Sequence, residues 1–359
     1  MEILSFYRSF GDYSPIEFTN LCNLRSLDLR FRELNCPLQP GVLSGMKKLE
    51  ELCLRCIPKE GEDQRWIIEE LSSLTFLHTF QISTLHSILM QILKARCLEN
   101  LDKFQILGAT TSLPDTEDQY SEDQYFTRSL SLKDGIDASM LSLPVFNLLM
   151  KRTYHLYIQG AKVLKNVVSE LDGDGFINLK ELILSSGDFE YLIDATNSIP
   201  NGTFGKLESL RLDNLPKLIE ICHENLPRGV IKPQLFCNLV SIRISHCDTI
   251  RSLFQESVAN SLVNLQSITI SCCPMLEKVV SMDAQENEVI ETCKMLEFPK
   301  LKTIRLGMLS RFKGITSQSN SGGIHQTFFN YPTFFNQVWY STFLLCACIQ
   351  ESLFVIKSV

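Results

Sequence analysis

No G-x-x-x-x-G-K-[ST] loop occurs in the 359 residues, so the backbone cradle and lysine that hold a nucleoside triphosphate are missing. There is no G-x-S-x-G and no H-E-x-x-H, and six scattered histidines offer no partner for a nucleophilic serine or cysteine. The expectation is a chain that is not an enzyme and needs no cofactor. Basic residues are outnumbered, 34 against 41 acidic ones, for a formal charge of -7. Coating nucleic acid requires the opposite balance, so nucleic acid is not an expected partner. The thirteen cysteines are odd in number and lack the close pairing of a disulfide scaffold. The opening MEILSFYRSFGD has no sustained apolar run and no small-residue cleavage site, so it does not read as a signal peptide. A cytoplasmic location is expected, with the nucleus also open.

What is present is periodic. The pattern apolar-x-x-apolar-x-apolar begins at Leu24, Leu49, Leu77, Leu101, Thr127, Thr153, Leu179, Leu207, Leu239, Leu265 and Leu301. Thr127 and Thr153 mark the two weakest copies. One copy arises by chance in any leucine-rich chain, but eleven in tandem do not. Alternating apolar positions place one face of a short strand inward, and a single strand cannot bury that face alone. Stacked in parallel, about 4.8 Å apart, such strands share one interior that the returning segment of each repeat closes. The predicted fold is therefore α/β: a leucine-rich-repeat solenoid, or horseshoe, with a parallel β-sheet on the concave face and an irregular or short-helical convex side. The expected organisation is an N-terminal extension over 1–20, about eleven repeats over 21–313, and a non-repeat tail over 314–359.

Several stretches carry a more particular likeness: GVLSGMKKLEELCLR (41–55), LMKRTYHLYIQGAKVLKNVVSELDGDGFINLKELIL (149–184), FGKLESLRLDNLPKLIEICHENLP (204–227) and LFCNLVSIRISHCDTIRSLFQESVANSLVNLQSITISCCPMLEKVV (235–280). On these residues the chain resembles the leucine-rich-repeat region of plant disease-resistance proteins of the coiled-coil, nucleotide-binding, leucine-rich-repeat type. The resemblance implies recognition of pathogen-derived or guarded host proteins, next to a nucleotide-binding switch that has no counterpart in this sequence. A fragment or partial resistance protein, active or not, is consistent with that gap. A secreted or receptor-type repeat ectodomain is the alternative.

Contacts are expected on the side chains between the buried positions of each strand: Asp28, Cys53, Gln81, Gln105, Ser131, Tyr157, Ile183, Arg211, Arg243, Thr269 and Arg305. The C-terminal part of this column is basic, and Ser241, Ser245, Ser267 and Ser271 flank it. Adjacent guanidinium groups suit an acidic loop or carboxylate. The candidate protein-binding residues are Tyr157, Arg211, Asp213, Arg243, Ser245, Thr269 and Arg305, with Asp213 able to pair with either neighbouring arginine.

Other chemistry is set aside. Asp172, Asp174 and Gly175 fail the calcium-loop register, and an acidic turn between repeats is expected there. His246, Cys247, Cys272 and Cys273 superficially resemble a zinc site, but their spacing is that of the repeat, which predicts a buried ladder at Cys247 and Cys273 instead. No metal is expected. The sequon at Asn201 reads as a surface turn, and the acidic PDTEDQYSEDQY (114–125) as a loop interrupting the repeats. From Gly314 through Gln350 there is no charged residue. The apolar run 338–356 raises a membrane anchor, against which Gln350 and Glu351 interrupt it, so a segment outside the repeat family is preferred.

Overall fold

The structure, a computed structural model, describes residues 1–6, 21–30, 40–56, 65–109, 128–223, 235–281 and 298–315, apart from positions 134, 137, 195, 197 and 198. Two further short strands are described by their backbone. Thr127, the acidic stretch 114–125 and most of the apolar run 338–356 lie outside the described residues. The chain divides into two compact units, Met1–Gly160 and Ala161–Val359, and each is a leucine-rich-repeat solenoid.

In the first unit seven parallel strands stack in sequence order: β1 (Ile3–Ser5), β2 (Ser26–Leu29), β3 (Glu51–Cys56), β4 (Thr79–Leu85), β5 (Lys103–Ala109), β6 (Ser129–Leu132) and β7 (His155–Gln159). The register matches Leu4, Leu27, Leu52, Phe80 and Phe104 from β1 to β5, then shifts by two residues between β5 and β6, so that Ile106 faces Leu130 and Leu130 faces Leu156. β1 falls inside the segment expected to be an extension. Met1, Leu4 and Phe6 repeat the apolar pattern there, and the Phe6 amide donates to the Asp28 carbonyl at 2.8 Å.

The return segments of this unit are helical: α1 (Arg65–Ser72), α2 (His86–Ile92), α3 (Ala138–Leu141) and α4 (Pro144–Arg152). Pro144 opens α4 with a pre-set φ, and its apolar face buries Val145, Phe146, Leu149 and Met150. Thr153 ends it, turning its hydroxyl back to the Leu149 carbonyl at 2.7 Å. Thr153 is only 1% exposed, so this polar first position satisfies its own hydroxyl and still enters the core. Another buried polar group with a clear task is Glu70, whose carboxylate accepts the backbone N–H groups of Gly41, Leu43 and Ser44.

The second unit opens with α5 (Val167–Leu171), whose N-cap Asn166 accepts the Ser169 amide at 3.1 Å. The strands that follow are β8 (Glu181–Ser185), β9 (Tyr191–Asp194), β10 (Ser209–Asp213), β11 (Glu220–His223), β12 (Ser241–Ser245), β13 (Ser252–Gln255), β14 (Ser267–Ser271), β15 (Lys278–Ser281) and β16 (Thr303–Gly307). They sort into two sets. β8, β10, β12, β14 and β16 form the parallel ribbon, while the return segments pair as β9 with β11 and β13 with β15. The return side here is thus short strands, with the single turn α6 (Glu256–Ala259) following β13. β17 (Phe334–Phe335) and β18 (Phe354–Lys357) come from the segment expected to leave the repeats. β18 runs antiparallel to β16, unlike every ribbon pairing before it.

The interior of the second unit holds a stack of phenylalanines, three of which, Phe176, Phe204 and Phe236, stand three residues before the first leucine of their repeats. Phe176 and Phe204 lie ring over ring at 5.6 Å, Phe204 and Phe236 at 5.3 Å, and Phe254 meets Phe236 edge-on at 6.4 Å. All four are essentially fully buried. Phe176, Phe204 and Phe236 have φ between 52° and 57°, a left-handed turn that is costly for a bulky residue. Burial of a large side chain contributes roughly 1.5–3 kcal/mol, enough to offset that cost. Asp172, 3% exposed, accepts the Phe176 amide at 2.9 Å and the Asp174 amide at 3.1 Å. The acidic run therefore ties down the turn that presents the first ring of the stack.

Candidate functional site

The middle position of each ribbon strand lies between its two core positions. In the first unit these are Ser5, Asp28, Cys53, Gln81 and Gln105, in register from β1 to β5, and then Ser131 and Tyr157, in register with each other and with Leu107 of β5. Four of these, Cys53, Gln81, Gln105 and Ser131, are buried at 5–9% exposure, so the expected open face is closed there. Arg30 accounts for part of the closure. Its guanidinium donates to both Asp28 carboxylate oxygens, at 2.9 and 2.6 Å, and to the Gln81 Oε1 at 3.0 Å, arching across the intervening Cys53. Burial pushes the Cys53 thiol up to about 12, which makes it inert. Tyr157 is half-buried and donates its hydroxyl to the Gln159 side chain at 2.8 Å. Of the seven candidate residues it is the one in this unit.

The other six fall in the second unit, where the column runs Ile183, Arg211, Arg243, Thr269 and Arg305. Arg211, Arg243 and Arg305 are exposed, and Ile183 and Thr269 half-exposed. Arg211 and Arg243 are register partners on neighbouring strands, about 4.8 Å apart at the backbone. Asp213 and Ser245 are likewise partners in the next outward column.

Asp213 does not neutralise the arginines. Its Oδ1 accepts the Ser245 hydroxyl at 2.5 Å and lies 3.4 Å from His246 Nδ1. Among the described residues no hydrogen bond or ion pair engages the side chains of Arg211, Arg243 or Arg305. Ser241 and Ser209 hydroxyls meet at 3.4 Å beside them. The arrangement is three guanidinium forks on one strip, bordered by hydroxyls, ready to accept carboxylates bidentately.

The strand exits form a further column that sequence reading did not anticipate. Ser186, Asn214, His246, Cys272 and Met308 each follow a ribbon strand and all have φ of 52–53°. Backbone amides hold the turn: Asn214 donates to the Ser245 carbonyl at 2.9 Å, His246 to Ser271 at 3.2 Å and Cys272 to Gly307 at 3.1 Å. The position has no residue-type signature, so only the repeat register could have located it.

Just inward, Cys247 and Cys273 are buried and donate their thiols to the Ser245 and Ser271 carbonyls at 3.5 and 3.3 Å. The hydrogen bond with Cys273, together with burial, holds the Cys247 thiol protonated far above its ordinary range. That is a structural ladder of the predicted kind. All eight cysteines with described surroundings are free, and Asn201 is exposed on a turn while Thr203 donates its hydroxyl to the Pro200 carbonyl at 2.7 Å. No helix among the described residues is long and apolar enough to cross a membrane.

Comparison with known proteins agrees with this geometry. The family described as "Plant disease resistance protein RPS2-like, leucine-rich repeats" matches residues 139–274. No curated protein matches. Among solved structures, an internalin (inlF) from Listeria monocytogenes aligns at 13% identity over 82% of this chain and 87% of that one, with a TM-score of 0.27, too low to support any argument. Residues 139–274, which hold the first two arginines of the column and the stacked phenylalanines, are leucine-rich repeats of the plant disease-resistance type.

Proposed function

We propose that the chain is a protein-recognition module of plant innate immunity, acting in the cytoplasm without catalysis. It engages a pathogen-derived or guarded host protein through the open ribbon face of its second unit. The reading rests on the Arg211, Arg243 and Arg305 column, exposed and unengaged among the described residues, the first two of them on repeats that match the disease-resistance type. Three desolvatable guanidinium groups on a rigid strip make an anchor for an acidic protein surface, the kind of residue on which binding energy concentrates. Asp213, Ser245 and Thr269 border the strip and set which carboxylates fit. Tyr157 remains a contact candidate of the first unit.

Proximity labelling with the tagged full chain in plant tissue tests the reading. Proteins enriched by the wild type should disappear from the Arg211→Glu, Arg243→Glu double variant, while its unfolding midpoint stays put. An unchanged set of labelled proteins would remove the arginine strip from the account. A secreted ectodomain is the competing reading, and the exposed Asn201 supplies its test: glycan on that side chain would favour it.

A further inference from the structure

Three successive strand exits in the second unit carry His246, Cys272 and Met308. These are an imidazole, a thiol and a thioether, the nitrogen and sulfur donors that soft metal ions prefer. They are stacked in one column by the ladder, because His246 follows β12, Cys272 follows β14 and Met308 follows β16, and those strands are in-register neighbours. Each has φ of 52–53°, so the three side chains leave the backbone in the same way. The Cys272 Sγ already lies 3.6 Å from the Met308 Sδ. On the other side, the backbone of His246 lies one coil, about 4.8 Å, from that of Cys272. Its Nδ1 is 3.4 Å from the Asp213 carboxylate, a contact that orients a ring and leaves the Nε2 as the donor atom.

We propose that Cys272, Met308 and His246 form a surface site for a soft monovalent cation, copper(I) or its redox-inert analogue silver(I). Cys272, in the middle, supplies a thiolate, with the thioether of the next coil and the imidazole of the previous one completing a three-coordinate shell. Binding releases the Cys272 thiol proton to solvent and changes no oxidation state. Half-exposure of Cys272 and exposure of His246 and Met308 leave the site open to the ion. Hard cations are not suited, because the nearest carboxylate, Asp213, is already occupied by Ser245 and His246. The buried neighbours Cys247 and Cys273 donate their own thiols to backbone carbonyls and are out of reach of solvent. The site is separate from the arginine column and does not depend on the recognition role.

The test is competition for copper(I) between the full-length chain and a chromogenic copper(I) chelator under reducing, oxygen-free conditions, with silver(I) as a second probe. The wild type should withdraw one ion per chain with an affinity that Cys272→Ser lowers at least a hundredfold. Met308→Leu and His246→Gln should each lower it about tenfold. Met308 is 64% exposed, so its substitution leaves the fold intact, and circular dichroism of each variant checks that. Tight binding that survives Cys272→Ser overturns the site. So does loss with Cys272→Ser alone while Met308→Leu and His246→Gln bind as the wild type does, since that pattern is a single thiol acting by itself.

Discussion

The two units stack the same strand pattern but treat the middle of the strand in opposite ways. In the first, Gln81, Gln105 and Ser131 are buried, and Arg30 is spent on Asp28 and Gln81. In the second, the equivalent positions hold arginines left in solvent. The return sides differ too, helical in the first unit and short paired strands in the second. An identical core pattern therefore fixes the coil and leaves the function of the face to one residue per repeat.

The contrast can be broken by exchanging charge. Gln105→Arg puts an unpaired cation into a closed column and should destabilise the chain by about 3–5 kcal/mol, whereas Thr269→Arg extends an open column and should change stability by less than about 0.5 kcal/mol. Denaturant unfolding of both variants decides it; equal costs would mean the two faces are not different in kind. A smaller effect sharpens the same point. Gln105 Oε1 is buried without a hydrogen-bond partner, so Gln105→Leu should raise stability by about 1 kcal/mol. A loss of that size instead would show that the oxygen is satisfied in solution.

The smallest expected effect lies on the rim of the first unit. A hydrogen bond from Arg25, supported by its charge, holds the Glu50 carboxyl below its ordinary value of 4.5. The folded state then binds the proton less readily than the unfolded one. The contribution is complete above the ordinary value and fades as pH falls through the depressed one. Arg25→Ala should move the Glu50 titration upward by NMR; because the pair is exposed and screened, the unfolding midpoint at neutral pH should barely change.

Much of this architecture was legible because burial is periodic. The predicted first positions Leu24, Leu49, Leu101, Leu179, Leu207, Leu239 and Leu265 are all fully buried. The arginine column followed from the same arithmetic, since strand alternation fixes which side chain faces out. β1 escaped because its M-x-x-L-x-F copy precedes the first clear leucine repeat and carries a single leucine. Closure of the first ribbon face was not legible, because Arg30 reaches Gln81 across two coils and no local pattern encodes that reach. Nor could spacing foretell that Asp213 would choose Ser245 and His246 over Arg211 and Arg243: all four candidate partners lay within one coil, and side-chain geometry chose among them.

The pitch of the ribbon limits what can lie along it. Coils advance about 4.8 Å, while an extended peptide advances about 6.8 Å for every two residues and an α-helix about 5.4 Å per turn. A peptide strand laid across the coils thus slips by about 2 Å at each step and loses its match after one arginine. A helix slips by only about 0.6 Å per coil, so acidic side chains one turn apart can keep step from Arg211 to Arg243.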